Sequence, residues 1–200
     1  MRVQIGKDER DWIDQAWTWL HTEIKEASRV FMPAGGTPQA LYKRCVAEPT
    51  KLLKSLRMLQ LDEIITGPLK GNFRQFLEKE LTPYVSQIEW IKNADNVADI
   101  AILGVGINGH VAFHEPFLPK SFGSGCVILS PEIQNYLELK DETWGLTYGV
   151  DTFLKAKKIL VLARGEKKKA ILQKAIKEKN LPISWILEHP NVTLITDFKL

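Results

Sequence analysis

Cysteine is scarce in this chain, with only Cys45 and Cys126 among 200 residues, and the two do not form a C-x-x-C pair. That excludes a disulfide framework and a thiolate metal cluster, and it fits reduced thiols in a cytoplasmic compartment. No apolar run approaches the ~20 residues that a membrane span requires. Met1 to Arg10 is polar and charged, without the apolar centre of a secretion signal. The formal charge is only +3, too slight and too scattered to point to nucleic acid. His21 and His189 show no metal-ligand spacing. No arginine occurs between Arg74 and Arg164. The expectation from these absences is a cytoplasmic protein without metal or cofactor, acting on a small molecule, with no nucleic-acid or membrane partner.

What remains is an ordinary globular composition, 44% hydrophobic and 26% charged, in a length that suits one domain over residues 1–200. From Asp8 to Ala27, Trp12, Ile13, Ala16, Trp17, Trp19, Leu20 and Ile24 recur at helical spacing. Strands are expected at Arg29–Ala34, Ser55–Leu61, Asp99–Leu103, Cys126–Leu129, Lys158–Leu162 and Val192–Ile195. Helices are expected after Pro38, over Gly71–Leu81 and over Glu166–Lys179. Strands alternating with helices predict an α/β fold with a mainly parallel sheet, in which ligands bind beyond the carboxyl ends of the strands.

Two glycine turns follow such strands. Gly35-Gly36-Thr37-Pro38 leads from a strand into a helix, so bare backbone N–H groups, a helix N-terminus and the Thr37 hydroxyl can receive a phosphate; a plain tight turn is the alternative. Gly104-Val-Gly106-Ile-Asn-Gly109 satisfies G-x-G-x-x-G, but Gly123–Ser130, about 20 residues on, lacks the acidic residue that would hold a ribose. His110 follows at once and Pro116 soon after, which argues against a dinucleotide loop. His110 can exchange protons near neutrality, and Glu115 five residues later can orient it. Asp62, at the end of another strand, supplies a base for abstraction from carbon.

Gly35-Gly-Thr-Pro38, Leu61-Asp-Glu63, Leu103-Gly-Val-Gly-Ile-Asn-Gly-His-Val-Ala-Phe-His-Glu-Pro116, Leu146-Thr-Tyr-Gly-Val150, Gly165-Glu-Lys-Lys168 and His189-Pro-Asn-Val-Thr193 stand in an order that resembles the glucosamine-6-phosphate deaminases. The 6-phosphogluconolactonases share part of it. The resemblance implies a three-layer α/β/α sandwich with a Rossmann-like sheet, and an aldose–ketose isomerisation coupled to loss of ammonia. It implies Asp62 as the enolising base, His110 as the ring-opening group and Glu115 as its support. Substrate phosphate is implied at Gly35, Gly36 and Thr37, and near Lys168. The residues Asp62-Glu63-Ile64 and Gly109-His110-Val111-Ala112-Phe113, followed by Glu115, favour the deaminase side over the lactonase side.

Two departures stand out. Asn108 occupies the place of the family's acid before G-H; an amide orients His110 but carries no charge. The stretches after Glu63 and Pro116 are short, and the arginine expected there for the phosphate is absent. These departures keep two other readings open: a sugar-phosphate-binding protein without turnover, and a lactonase-like hydrolase. Assembly into a homo-oligomer is also left open.

Overall fold

The computed structural model describes residues 1–92 and 96–200. The chain runs through β1 (Arg2–Ile5), α1 (Glu9–Glu23), β2 (Arg29–Met32), α2 (Gly36–Ala47), α3 (Lys51–Ser55), β3 (Arg57–Gln60) and β4 (Asp62–Ile64). It continues with α4 (Asn72–Glu80), a 3₁₀ turn at Thr82–Gln87, β5 (Ile88–Glu89), β6 (Ile100–Leu103), β7 (Ser124–Ile128) and α5 (Pro131–Tyr136). It ends with β8 (Trp144–Tyr148), α6 (Val150–Phe153), β9 (Lys158–Ala163), α7 (Glu166–Glu178), α8 (Pro182–Leu187) and β10 (Val192–Thr196).

Seven strands form one sheet in the order β1-β10-β9-β6-β2-β3-β5, and the registered pairs are parallel. Its central strands are apolar on both faces, as a sheet covered on both sides requires. The period of two sorts them: Val30, Met32, Ile100, Ile102, Leu160 and Leu162 pack with Trp12, Trp19, Leu41 and Leu77 of α1, α2 and α4. Phe31, Ala101, Leu103, Ile159 and Val161 pack with Phe153, Leu172 and Ile183 of α6, α7 and α8. Helices thus flank both faces, giving the three layers expected.

α1 starts where its chemistry directs, with the Asp8 carboxylate accepting from the Asp11 N–H at 2.8 Å. Inside it, Trp12 is fully buried and its indole N–H donates to the Ile195 carbonyl at 3.2 Å, tying the helix to β10.

The structure departs from the strand expectations in three places. Asp62 does not end β3; it begins β4, one residue after β3 stops. The strand at Ser124–Ile128 lies outside the parallel sheet and joins β4 and β8 in a small antiparallel sheet, order β4-β8-β7. β1, β5 and β8 were not anticipated, β1 because it is a mostly exposed edge of four residues and β5 because it has only two. Ile64, Phe113, Val127, Leu129 and Ile133 form a separate cluster beside this small sheet.

Direction of growth decides where a cleft can open. From β2 the chain builds outward through β3 to β5, then returns to place β6 on the other side of β2 and continues to β9 and β10. The reversal falls between β2 and β6, and open α/β sheets leave a crevice at such a point, beyond the carboxyl ends of the strands. The four neighbours β9, β6, β2 and β3 deliver Lys168, Asn108–His110, Gly35–Thr37 and Asp62 respectively to that one edge.

Candidate active site

The loop after β6 is a compact turn built around glycine. The Gly106 N–H donates to the His110 carbonyl at 2.9 Å, and the Gly109 N–H to the Gly106 carbonyl at 3.1 Å. A Cβ on Gly106 would stand 2.1 Å from His110 Cε1 and 2.3 Å from Nδ1, so the imidazole occupies the space a side chain would need. Gly109 has φ +91°, a left-handed conformation natural to glycine, and its carbonyl accepts from the Ile183 N–H at 3.1 Å. The G-x-G-x-x-G match therefore seats an imidazole, and no helix follows it.

His110, Asn108 and Glu115 lie in one hydrogen-bonded array. The Asn108 Oδ1 lies 2.7 Å from His110 Nδ1 and accepts from the His110 N–H at 3.1 Å. Its Nδ2 donates to Glu115 Oε2 at 2.8 Å. With the amide oriented by the carboxylate, its oxygen faces the imidazole, so Nδ1 carries the proton and Nε2 is free to act as a base. Glu115 Oε1 stands 3.5 Å from His110 Nδ1 and accepts from the Ser130 hydroxyl at 2.9 Å. Glu115 is fully buried, which raises its carboxyl above the usual range, while the Ser130 and Asn108 donors pull it down. Burial, aided by the Lys168 cation, lowers His110 to about 4, so its imidazole is neutral at physiological pH.

Asp62 is 6% exposed, and desolvation with the neighbouring Glu63 charge raises its carboxyl to about 8. The adjacent Glu63 has a structural role. Its oxygens accept from the Phe73 and Arg74 N–H groups at 3.1 and 2.8 Å, capping the start of α4. Asp62 pairs with Thr147 across the small sheet, and the Thr147 hydroxyl accepts from the Phe113 N–H at 3.1 Å. One threonine thus ties the Asp62 strand to the segment that carries His110 and Glu115.

Two helix starts carry the residues expected to receive a phosphate. Gly35 has φ 106° and no side chain caps α2. A Cβ on Gly35 or Gly36 would meet nothing within 4 Å, so the turn opens onto free space. Lys168, in the first turn of α7, donates to the Val105 carbonyl on the loop after β6, and burial lowers its ammonium below the usual lysine range. Arg164 is held elsewhere, 2.6 Å from Glu9 and over the Trp12 ring.

Sequence reasoning passed over Ser130 and Thr147. Ser130-Pro131-Glu132 is a helix-start signature, which was the available sign for Ser130. His114 does not line the cleft: it is fully buried, its Nδ1 accepts from the Val150 N–H at 3.0 Å, and its ring packs against Phe122 and Trp185. Among the described residues, no group of three or more His, Cys, Asp or Glu could hold a metal ion, and no helix is long and apolar enough to cross a membrane.

A parallel α/β sheet with polar, titratable residues gathered at its switch point defines the broad class of this protein. The family model for glucosamine-6-phosphate isomerases/6-phosphogluconolactonase matches residues 50–195, a span that holds Asp62, Asn108, His110, Glu115 and Lys168. The chain belongs to that family. It is 27% identical to a glucosamine-6-phosphate deaminase of Shouchella clausii (strain KSM-K16) over 234 residues, covering 98% of this chain and 95% of the relative. It is 28% identical to the Lactobacillus acidophilus deaminase over 232 residues, with the same coverage. Each aligned span exceeds the 200 residues of this chain, so both relatives carry segments it lacks. Among solved structures, a monomeric glucosamine-6-phosphate deaminase superposes with TM-score 0.79 at 22% identity, covering 98% of this chain and 97% of the other. The 6-phosphogluconolactonase of Leishmania guyanensis superposes with TM-score 0.74 at 18% identity, covering 98% and 95%.

Two outcomes follow from this geometry. Gly106→Ala will expel the imidazole into solvent; by NMR titration His110 should move up from about 4 toward 6.5 while the fold persists. An unmoved titration would show that the loop absorbs a methyl group. The second concerns stability. Folded Asp62 keeps its proton to about 8 whereas an ordinary aspartate releases it near 3.8, so folded protein holds a proton the unfolded chain has released. Its contribution is therefore lost as pH rises between these values. The stability gain of Asp62→Asn over the parent should grow from pH ~4 to ~8 and then level off, as read by denaturant melts at each pH.

Proposed function

We propose that this protein is an aminosugar-phosphate isomerase/deaminase, converting glucosamine 6-phosphate and water to fructose 6-phosphate and ammonia. The observation that carries the reading is the delivery of Asp62, the His110–Asn108–Glu115 array, Lys168 and the uncapped start of α2 to one sheet edge. The names of the deaminase relatives support the choice of substrate.

In this reading the substrate phosphate rests on the Gly36 and Thr37 N–H groups, the Thr37 hydroxyl and the Lys168 ammonium. His110 Nε2 takes the C1 hydroxyl proton as the C1–O5 bond breaks and returns a proton to O5, giving the open aldehyde. The positive charge that gathers on the ring in passing is supported by buried Glu115 through Asn108. Asp62 then removes the C2 proton; the C–H electrons form a C1=C2 double bond, and the ammonium on C2 passes one of its protons to the aldehyde oxygen, giving a neutral enolamine. Return of the proton from Asp62 to C1 leaves a C2 iminium, which water converts to the ketone with release of ammonia. A carboxyl raised to about 8 suits this work, since a base holding a proton that tightly takes one from carbon more readily. An ammonium on C2 would also favour its ionised form.

Neutral Asn108 makes charge stabilisation depend on Glu115, 3.5 Å from the imidazole. We place the reaction in the cytoplasm, with free Cys45 and Cys126, on a small sugar phosphate, and without metal or cofactor, nucleic acid or membrane.

A coupled assay for ammonia and fructose 6-phosphate, with lactone hydrolysis run in parallel, tests the reading. Turnover of the aminosugar is expected, with kcat/KM rising toward pH ~8 as Asp62 ionises. Asp62→Asn should abolish it while inorganic phosphate still binds, and Lys168→Ala should raise KM about tenfold or more with a smaller change in kcat. Lactone hydrolysis alone would transfer the protein to the other branch of the family. Thermal protection by the sugar phosphate without either reaction would make it a binding protein.

A further inference from the structure

The Ser130 hydroxyl is buried, 4% exposed, and sits where two parts of the molecule meet. It donates to Glu115 Oε1 at 2.9 Å and accepts from the Ile133 N–H at 3.3 Å, the N-cap bond of α5. A hydroxyl has one proton to give, and here the carboxylate receives it. Glu115 Oε2 is taken by the Asn108 amide at 2.8 Å, so each carboxylate oxygen has its own donor and the group's rotation is fixed.

We infer that Ser130 is a positioning residue for the reaction: its hydroxyl holds Glu115 turned toward Asn108 and His110, and couples that carboxylate to the start of α5. This rests on the deaminase reading for its kinetic consequence, but the hydrogen-bond role stands apart from it. The reasoning is one of competing demands on a buried acid. Glu115 is buried away from bulk solvent, and Glu132 on α5 adds a second negative charge nearby. The His110 imidazole, itself under the influence of Lys168, is neutral and offers Glu115 only the 3.5 Å approach of Nδ1. Two donors, one from an amide and one from Ser130, offset part of what burial costs the charged form. Without Ser130, Oε1 is free to turn, and the acid takes up a proton at a pH where its charge is needed across Asn108.

Three substitutions separate this role from helix capping. Ser130→Ala removes donor and cap together; Ser130→Thr keeps both; Ser130→Asp keeps the cap, since Asp caps as well as Ser, but has no proton to donate when ionised. Each is assayed for kcat and KM, and the Glu115 carboxyl is titrated by carbon NMR, a readout that needs no turnover. In Ser130→Ala, kcat should fall about tenfold or more with KM within about twofold, and the Glu115 titration should move up by about one pH unit or more. Thr should restore both, and Asp should restore neither. An unmoved Glu115 titration in Ser130→Ala overturns the inference, as does recovery in Ser130→Asp or failure of Thr to restore. Should Ser130→Asp not fold, the Ala and Thr pair still decides. If the parent turns over no glucosamine 6-phosphate, the functional reading falls while the titration continues to judge Ser130.

Discussion

A carboxylate removed from water must be supplied with donors, and the site is arranged around that demand. Glu115 is fully buried, and the amide of Asn108 and the hydroxyl of Ser130 each give it one hydrogen bond. Once the amide nitrogen is committed to Glu115, its oxygen can only accept, which fixes the tautomer of His110. An unpaired buried acid would take a proton and lose this directing effect. The orientation of one amide thus follows from the solvation of one acid, and the chemistry of the imidazole follows from the amide.

Asp62 and His110 illustrate opposite uses of burial. Removal from water raises the acid to about 8 and lowers the imidazole to about 4. Both groups are thereby biased toward their neutral forms, among the charged Lys168, Glu63 and Glu132. A dianionic phosphate and an ammonium would each meet groups whose protonation is ready to respond to them.

Much of the architecture was legible in the chain. The apolar run at Asp99–Leu103 announced a strand covered on both faces, and the helical spacing of Trp12, Ala16, Trp19 and Leu20 matched the buried stripe of α1. The proton-transfer candidates stood out in the chain too, His110 by the glycines around it and Asp62 by following the apolar run that becomes β3. The small sheet was not. β4 has three residues and starts one residue after β3, so periodicity sees a single strand where the chain changes partners. Ser130 was hidden for another reason: its helix-start signature is local, whereas its bond to Glu115 spans 15 residues and depends on the fold. In sequence Asn108 was a departure that kept a reading without turnover open; in three dimensions it is an amide with both ends engaged.

The change of sheet at Leu61 has a consequence for how such a chain can be trimmed. Asp62 is anchored through Thr147 of β8, and Thr147 also receives the Phe113 N–H. Loop material that makes none of these bonds stands outside this brace. A shorter member of the family can therefore differ in its periphery while one threonine still joins the Asp62 strand to the segment between His110 and Glu115.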